Sequence, residues 1–439
     1  MPISHRGARK LSPPRHDAET ASQRTKLSSS PIASAHLTLA GQSGILANSL
    51  EFQDSMPKDN SDTGPIVLGC LLYTAGSAIQ YVTPAYLSEL ATRLDLNEAQ
   101  MGSISAAENI GIGVAALLAV FWVGRIDRRL AASVAALACA GLDIVAFLSR
   151  SFEMLLVVRF LAGFLGEGIL FSLSFLVLRS TRNPERSLGI ALTTVVMFAS
   201  LVLAAAPTLN RSSMGSGVLL PLGALPLAVI FAVKWMPHRH LPKTPQLKTG
   251  NATESIHGRW AVIALIAMAL WFAAPGAFWT FAEAAAAGKH SSVQDISIAL
   301  AVGNAVGLLG SSVAAWQANR WGRSWPIVGA TLCLCLSVVA FQHSWHFAAL
   351  AASLSGINIF WNYGAVYQMG LVVALDPTGR ATAAISAPQV LGFAAGGFVS
   401  GLAIFSFGFS ALTAVVSLFA VAGLLLFLPC FRADRMQAR

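Results

Sequence analysis

Charge is scarce in this chain: of 439 residues only 11% are Asp, Glu, Lys or Arg, against 55% hydrophobic, and the mean hydropathy is +0.64. A soluble globule carries about 25% charged residues. The shortfall excludes a fold with most of its apolar surface turned inward, so much of the surface must face lipid. Cysteine is also sparse. Cys70, Cys139, Cys333, Cys335 and Cys430 lie in or at the edge of apolar runs without histidine neighbours, which excludes a disulfide framework or a zinc site and leaves small buried hydrophobes. No Gly-x-x-x-x-Gly-Lys motif is present, which disfavours a nucleotide-driven pump within one chain. The nine histidines fall in tails and connections, so an intramembrane enzyme would lack its base or its metal ligands. No catalytic residues, metal or cofactor are expected. The net charge of +9 does not indicate nucleic-acid binding, because the basic residues are distributed between apolar runs and not gathered on one aqueous face.

What is present is a succession of apolar stretches, each about 18 to 25 residues, the length that crosses roughly 30 Å of hydrocarbon. They fall near residues 66–84, 102–123, 130–149, 154–178, 188–208, 216–235, 260–282, 296–318, 325–342, 347–374, 382–405 and 408–430. The expected fold class is an all-α membrane protein with twelve transmembrane helices in two pseudo-symmetric six-helix bundles. Residues 1–64, rich in Ser, Pro and Arg, are expected to be a disordered cytoplasmic tail. Their opening resembles an organellar presequence, against which stand Asp17, Glu19 and adjacent prolines; Met56 is an alternative start. The expected domains are an N-terminal bundle at 65–235, a cytoplasmic linker at 236–259 with Pro237, Pro242 and Pro245, a C-terminal bundle at 260–430, and a tail at 431–439.

Basic residues set the orientation. Arg125, Arg128, Arg129, Arg179, Arg182, Arg186, Lys234, Arg239, Lys243, Lys248, Arg259, Arg320, Arg323, Arg380, Arg432, Arg435 and Arg439 fall on one side, with only Arg93, Arg150, Arg211 and Lys289 opposite. The positive-inside rule makes the richer side cytoplasmic, places both termini there, and suits a bacterial inner membrane.

The two halves echo one another. Val123-Gly124-Arg125-Ile126-Asp127-Arg128-Arg129 is matched 195 residues later by Ala318-Asn319-Arg320-Trp321-Gly322-Arg323-Ser324, and Asn109 by Asn304. Parallel repeats of this kind mark transporters. Over residues 65–430 the chain resembles the major facilitator superfamily, whose loop signature reads Gly-x-x-x-Asp-Arg-x-Gly-Arg-Arg. Asn319, Arg320, Gly322 and Arg323 match its second half; in the first copy Arg125, Arg128 and Arg129 match the basic positions, while Gly124 and Asp127 occupy the family's Asp and Gly positions. The resemblance implies that these loops latch the cytoplasmic ends of the halves together. Arg159-x-x-x-Gly163-x-x-Gly166-Glu167-Gly168 is similar to a motif of proton-coupled members, whereas the antiporter Gly-Pro signature is missing from span five, which offers only Ala206-Pro207.

Ionisable groups inside hydrocarbon are costly and functional by default. The spans as drawn contain Glu108, Asp143, Arg159 and Glu167, all in the N-terminal half. Asp143 and Arg159 lie at similar depth and form either a structural ion pair or, with Glu108, a larger cluster; a bond from Glu108 to Asn109 is the alternative. Glu167, between two glycines and with no basic residue within two turns, is the expected proton-coupling residue, the alternative being a structural hydrogen bond. Tyr73, Gln80 and Tyr81 of span one, Trp271, Phe278 and Trp279 of span seven, and Trp361, Asn362, Tyr363, Tyr367 and Gln368 of span ten are candidate cavity residues for a flat or amphipathic solute, packing being the alternative for each aromatic. Gly303-x-x-x-Gly307 and Gly392-x-x-x-Gly396 read as helix-packing motifs.

The expected function is secondary active transport of a small organic solute by alternating access, coupled to protons for uptake. The partners are then the bilayer, the solute and protons, with the chain acting as a monomer. Proton-driven efflux of an apolar or cationic compound is the alternative within the class, and a non-transporting receptor on the same scaffold is the alternative outside it. Whether Arg159 is free to meet a carboxylate solute discriminates between uptake of an anion and the rest.

Overall fold

The computed structural model describes residues 62–122, 126–212, 217–237, 252–288, 292–318, 320–376, 381 and 384–437. Most of the expected tail and linker, and the loop positions Gly124, Arg125 and Asn319, lie outside these residues. The helices are α1 (Thr63–Leu94), α2 (Glu98–Trp122), α3 (Arg128–Leu148), α4 (Phe152–Arg179), α5 (Pro184–Ser212), α6 (Leu219–Ala232), α7 (Ala252–Ala287), α8 (Val293–Gln317), α9 (Ser324–Gln342), α10 (Phe347–Leu375), α11 (Ser386–Phe407) and α12 (Ala411–Gln437). Ten helices among the described residues are long and apolar enough to cross a membrane. Of the others, α6 with its 3-10 extension to Trp235 is shorter, and α10 is long but carries Asn358, Asn362 and Gln368 among its apolar residues.

Local chemistry explains where the helices start. Asn97 and Gln100 exchange backbone hydrogen bonds of 3.1 and 2.9 Å, a capping box that opens α2. Ser151 accepts from the Met154 amide at the head of α4, and Ser292 from Asp295 at the head of α8. Asp127, a residue of the expected latch loop, accepts from the Arg129 and Leu130 amides and so caps α3. Within the helices Thr74, Ser77 and Thr83 donate to carbonyls four residues back, which satisfies their hydroxyls where water is scarce. Large apolar side chains remain on the outside, Phe231 and Phe407 among them, as a lipid-facing surface requires.

Glycines let the backbones approach. In α11, Gly392 and Gly396 lie against the Ala269 and Ala273 carbonyls of α7. Gly303, Gly307 and Gly310 of α8 lie against Leu354, Asn358 and Ile359 of α10, so both small-residue motifs serve packing. The two halves of the sequence meet where α2 packs on α11, α5 on α8 and α1 on α7. Gly102 sits on the Gly397 backbone, Asn304 donates to Ser200 (3.0 Å) and to the Val196 carbonyl (3.2 Å), and Trp279 donates to the Tyr81 carbonyl (3.1 Å). The contacts of Gly102 with Gly397 and of Gly401 with the Glu98 carbonyl lie toward the end at which α1 finishes and α2 begins.

Two helices run further than their apolar cores suggest. The first stretch was expected to stop near residue 84 and the seventh near 282, but α1 continues to Leu94 and α7 to Ala287. Their last turns therefore carry Glu89 and Glu283 into the packed structure. Ionisable groups are thus not confined to the N-terminal half.

Candidate functional site

The four ionisable residues expected within the N-terminal spans meet at one point. Arg159 of α4 forms ion pairs with Glu108 of α2, with Asp143 of α3 at 2.6 Å, and with Glu167 of its own helix at 3.1 Å. None of the four is more than 3% exposed, which places one guanidinium and three carboxyls out of reach of water. Tyr86 of α1 covers the guanidinium, 5.3 Å from its ring centre. Cys139 lies one turn before Asp143, with its sulfur 3.9 Å from the carboxyl. Asn109 does not serve Glu108; it bonds to Gln80 (2.9 Å) and to the Ser105 carbonyl (2.8 Å).

The pairing of Arg159 with Glu167 corrects the expectation that no cation lies near that acid. Eight residues of straight α-helix, at about 100° each, would place the two side chains about 80° apart around the axis. The helix is not straight: Ala162–Glu167 form a π-turn, closed by the Gly168 amide bonding to the Gly163 carbonyl. A π-turn accommodates one extra residue, so the pair behaves as if seven apart, within about 20° of one face. Gly163 and Gly166 let α2 and α3 lie close against this turn. A Cβ at Gly163 would press on the Glu108 carbonyl and on the Ile112 amide 3.0 Å away, and one at Gly166 would meet Cys139 at 2.7 Å. Gly163→Val is expected to push α2 from α4 and cost about 1–3 kcal/mol through overpacking, read as a lower melting temperature of the detergent-purified protein.

The aromatic and amide candidates divide by location. Trp271 and Phe278 are fully buried within the second half, Trp271 donating to Thr331 of α9 (2.9 Å) and Phe278 meeting Phe341 edge-on. Trp279 lies at the α1–α7 contact already described. Tyr73 packs on Phe171 and Phe175 of α4, and Trp361 stacks on Phe393 of α11. Tyr363 donates to Gln317 (2.7 Å) and Tyr367 to the Ala318 carbonyl (2.9 Å), joining α10 to the end of α8, while Asn362 donates to the Asn358 carbonyl. The Gln368 amide is buried without a hydrogen-bond partner among the described residues. Gln317, whose Nε2 is likewise unpartnered, is a polar residue beside these candidates that pattern reading missed, since it sits at the edge of its apolar run.

Two arginines of the loops expected to latch the halves bond to residues of their own halves. Arg129 donates to the Lys234 and Met236 carbonyls at 3.3 and 3.4 Å, and Arg323 pairs with Asp434 at 2.7 Å. Two apolar grooves open on the flanks. One of about 710 Å³ runs between α2, α4 and α11 past Ser103, Ile110, Phe160 and Phe398. The other, of about 450 Å³, lies between α2, α3 and α4. Neither includes a residue of the charged cluster.

A helical membrane fold with parallel sequence repeats and a buried Arg–carboxyl cluster on its fourth helix defines a class. The chain belongs to the major facilitator superfamily, whose model matches residues 66–284. Among solved structures it is similar to the crystal structure of the nucleoside transporter NupG, with a TM-score of 0.65 and 14% identity over 84% of this chain and 98% of that one. An aspartate-to-alanine mutant of the same transporter gives 0.64 and 14% over 85% and 99%. These likenesses establish the fold. Compared by sequence with curated proteins, the chain matches none.

Proposed function

We propose that this chain is a proton-coupled secondary transporter of an uncharged small organic solute, working by alternating access between two six-helix bundles. In this reading α6 and α10 also cross the bilayer, giving twelve spans, and both termini are cytoplasmic by the positive-inside distribution. The end at which α1 finishes is then the outer one. The contacts between halves at that end, and the engagement of Arg129 and Arg323 each within its own half, suit a state open toward the cytoplasm.

The observation that carries the reading is the cluster of three carboxyls on one buried guanidinium. A buried group of that composition is electrically neutral only with protons on two of its acids, and neutrality is what hydrocarbon demands. Gaining and losing such a proton as access alternates would couple solute movement to the proton gradient. The same geometry speaks against a carboxylate solute that needs a free arginine, because both terminal nitrogens of Arg159 are paired with carboxyls. The partly buried tyrosines, Trp361 and the amides of α10 suit a flat, neutral, hydrogen-bonding molecule. Nucleosides, the solutes named for the structurally similar transporter, are of that kind.

The test is flux in proteoliposomes under an imposed proton gradient, with nucleosides, other neutral heterocycles, aromatic carboxylates and organic cations compared. Neutral solutes should accumulate on the alkaline side when the gradient runs inward. Carboxylate accumulation in their place would refute the solute class. Export of cations against the incoming proton would favour the second reading, efflux, to which the acidic excess of the cluster lends support.

A further inference from the structure

At the outer end a second pair of carboxyls spans the contact between halves. Glu89 of α1 is 6% exposed; its Oε2 accepts from the Val218 amide at 3.5 Å, and the Asn210 side chain of α5 also bonds to the carboxyl. Glu283 of α7 interacts electrostatically with Glu89 and bonds to the Ser88 hydroxyl of α1. Three oxygens here, Glu89 Oε1, Glu283 Oε2 and Asn210 Oδ1, are buried with no hydrogen-bond partner among the described residues. All three are acceptors, and an ionised carboxylate has no hydrogen to offer. Among the described residues these three oxygens lack a donor.

Among the described residues the surrounding elements make no hydrogen bond to them. Arg93, one turn further along α1, interacts electrostatically with Glu89 but directs its hydrogen bonds at the end of α3, to the Ala146, Phe147 and Ser149 carbonyls. From the α6 side the Gly217 and Val218 amides already face Glu89, and from α7 Trp279 is spent on Tyr81. Arg211, beside Asn210, is exposed. Tyr86, one turn before Glu89, lies with its ring against Arg159, and its hydroxyl bonds to no described residue. Two ionised carboxyls in one buried site repel, whereas a proton placed on either makes a donor for an orphaned acceptor. Since Glu89 rides on the first half and Glu283 on the second, parting the halves at this end would separate the acids and return them to water.

We propose that Glu89 and Glu283 form a proton-binding outer gate, in which closure of the outer ends of the two halves is linked to uptake of a proton from the outer side by this carboxyl pair. The gate rests on the alternating-access reading above but not on coupling through Glu167. Linkage is reciprocal: protons favour the closed outer end, and closure raises proton affinity. The site is separate from the Arg159 cluster, so the molecule holds one acid group that senses closure and another buried in the first half.

The test uses the full chain in lipid nanodiscs, with the five native cysteines replaced and spin labels at Glu153 and Gln294, exposed positions at the outer ends of α4 and α8. Electron–electron distances are recorded between about pH 5 and about pH 9. The wild type should hold a short distance in acid and gain a longer population in alkali. Glu89→Gln/Glu283→Gln, whose amides donate without a proton, should stay short throughout and lose the response. Glu283→Gln alone, at the less buried position, should lose most of it and serves if the double variant does not fold. A wild-type distance that ignores pH, or a full response retained in these variants, would overturn the gate. Repeating the series with sodium and then N-methylglucamine as bulk cation assigns the ligand: a response that follows sodium in place of pH would overturn the proton assignment. Glu167→Gln should leave the distance response intact. If that variant loses coupled flux while the gate proves unresponsive to pH, the transport reading stands and the gate falls.

Discussion

Arg159→Met should yield little folded protein. The methionine matches the length of the arginine stem but strips three buried carboxyls of their common cation, and breaking a buried ion pair from one side costs about 3–5 kcal/mol. That is a large part of the roughly 5–15 kcal/mol by which folded domains are stable. The measurement is monodispersity and melting temperature in detergent. Combining Arg159→Met with Asp143→Asn and Glu108→Gln should recover much of the loss, because amides can bond one another where carboxylates repel. Exchanging Asp143 and Arg159 should not recover it. A simple pair would survive the exchange, but here the guanidinium would move to α3, away from Glu167 on α4. A single Arg159→Met variant that melts within about 1 kcal/mol of the parent would remove the cluster from any account of stability.

Glu167→Gln should abolish gradient-driven accumulation while leaving exchange of solute across equal concentrations. An inward gradient of about one pH unit is worth about 1.4 kcal/mol per proton, enough for about tenfold accumulation of a neutral solute moved with one proton. A carrier that cannot exchange the proton equilibrates its solute and goes no further. The variant should therefore fall from about tenfold to no accumulation, with binding retained because the amide still fits beside Arg159. Undiminished accumulation would show that the coupling proton resides elsewhere, Asp143 and Glu108 being the next to test.

Most of the scaffold could be read from the apolar runs, because lipid forces a helix of fixed length wherever the backbone crosses. What misled the reading was the end of a helix. Glu89 and Glu283 sit beyond the apolar cores of α1 and α7, where polar composition resembles a loop, and only the close contact of those helices buries them. The depth of Asp143 and Arg159 followed from helical rise and led to their pairing. The place of Glu167 beside Arg159 did not, since plain α geometry turns the two apart and nothing but paired glycines hints at a π-turn. Trp271 and Phe278 illustrate a different gap: the aromatic character of a span is visible in its sequence, but which face carries it depends on partners such as Thr331 and Phe341 contributed from α9.

The π-turn of α4 also implies something about how the gene can vary. An insertion or deletion inside a membrane helix ordinarily turns every later side chain to a wrong face, so these segments tolerate length change poorly. Here an extra residue has been absorbed, and the reverse step is open: removing one residue between Ala162 and Gly166 would give a regular helix with arginine and glutamate seven apart, still on one face. Substitutions that straighten the turn at full length would do the greater harm. Descendants of a common ancestor could thus carry the same ion pair at spacings of seven or eight, and an alignment that forbids gaps within spans would miss the correspondence.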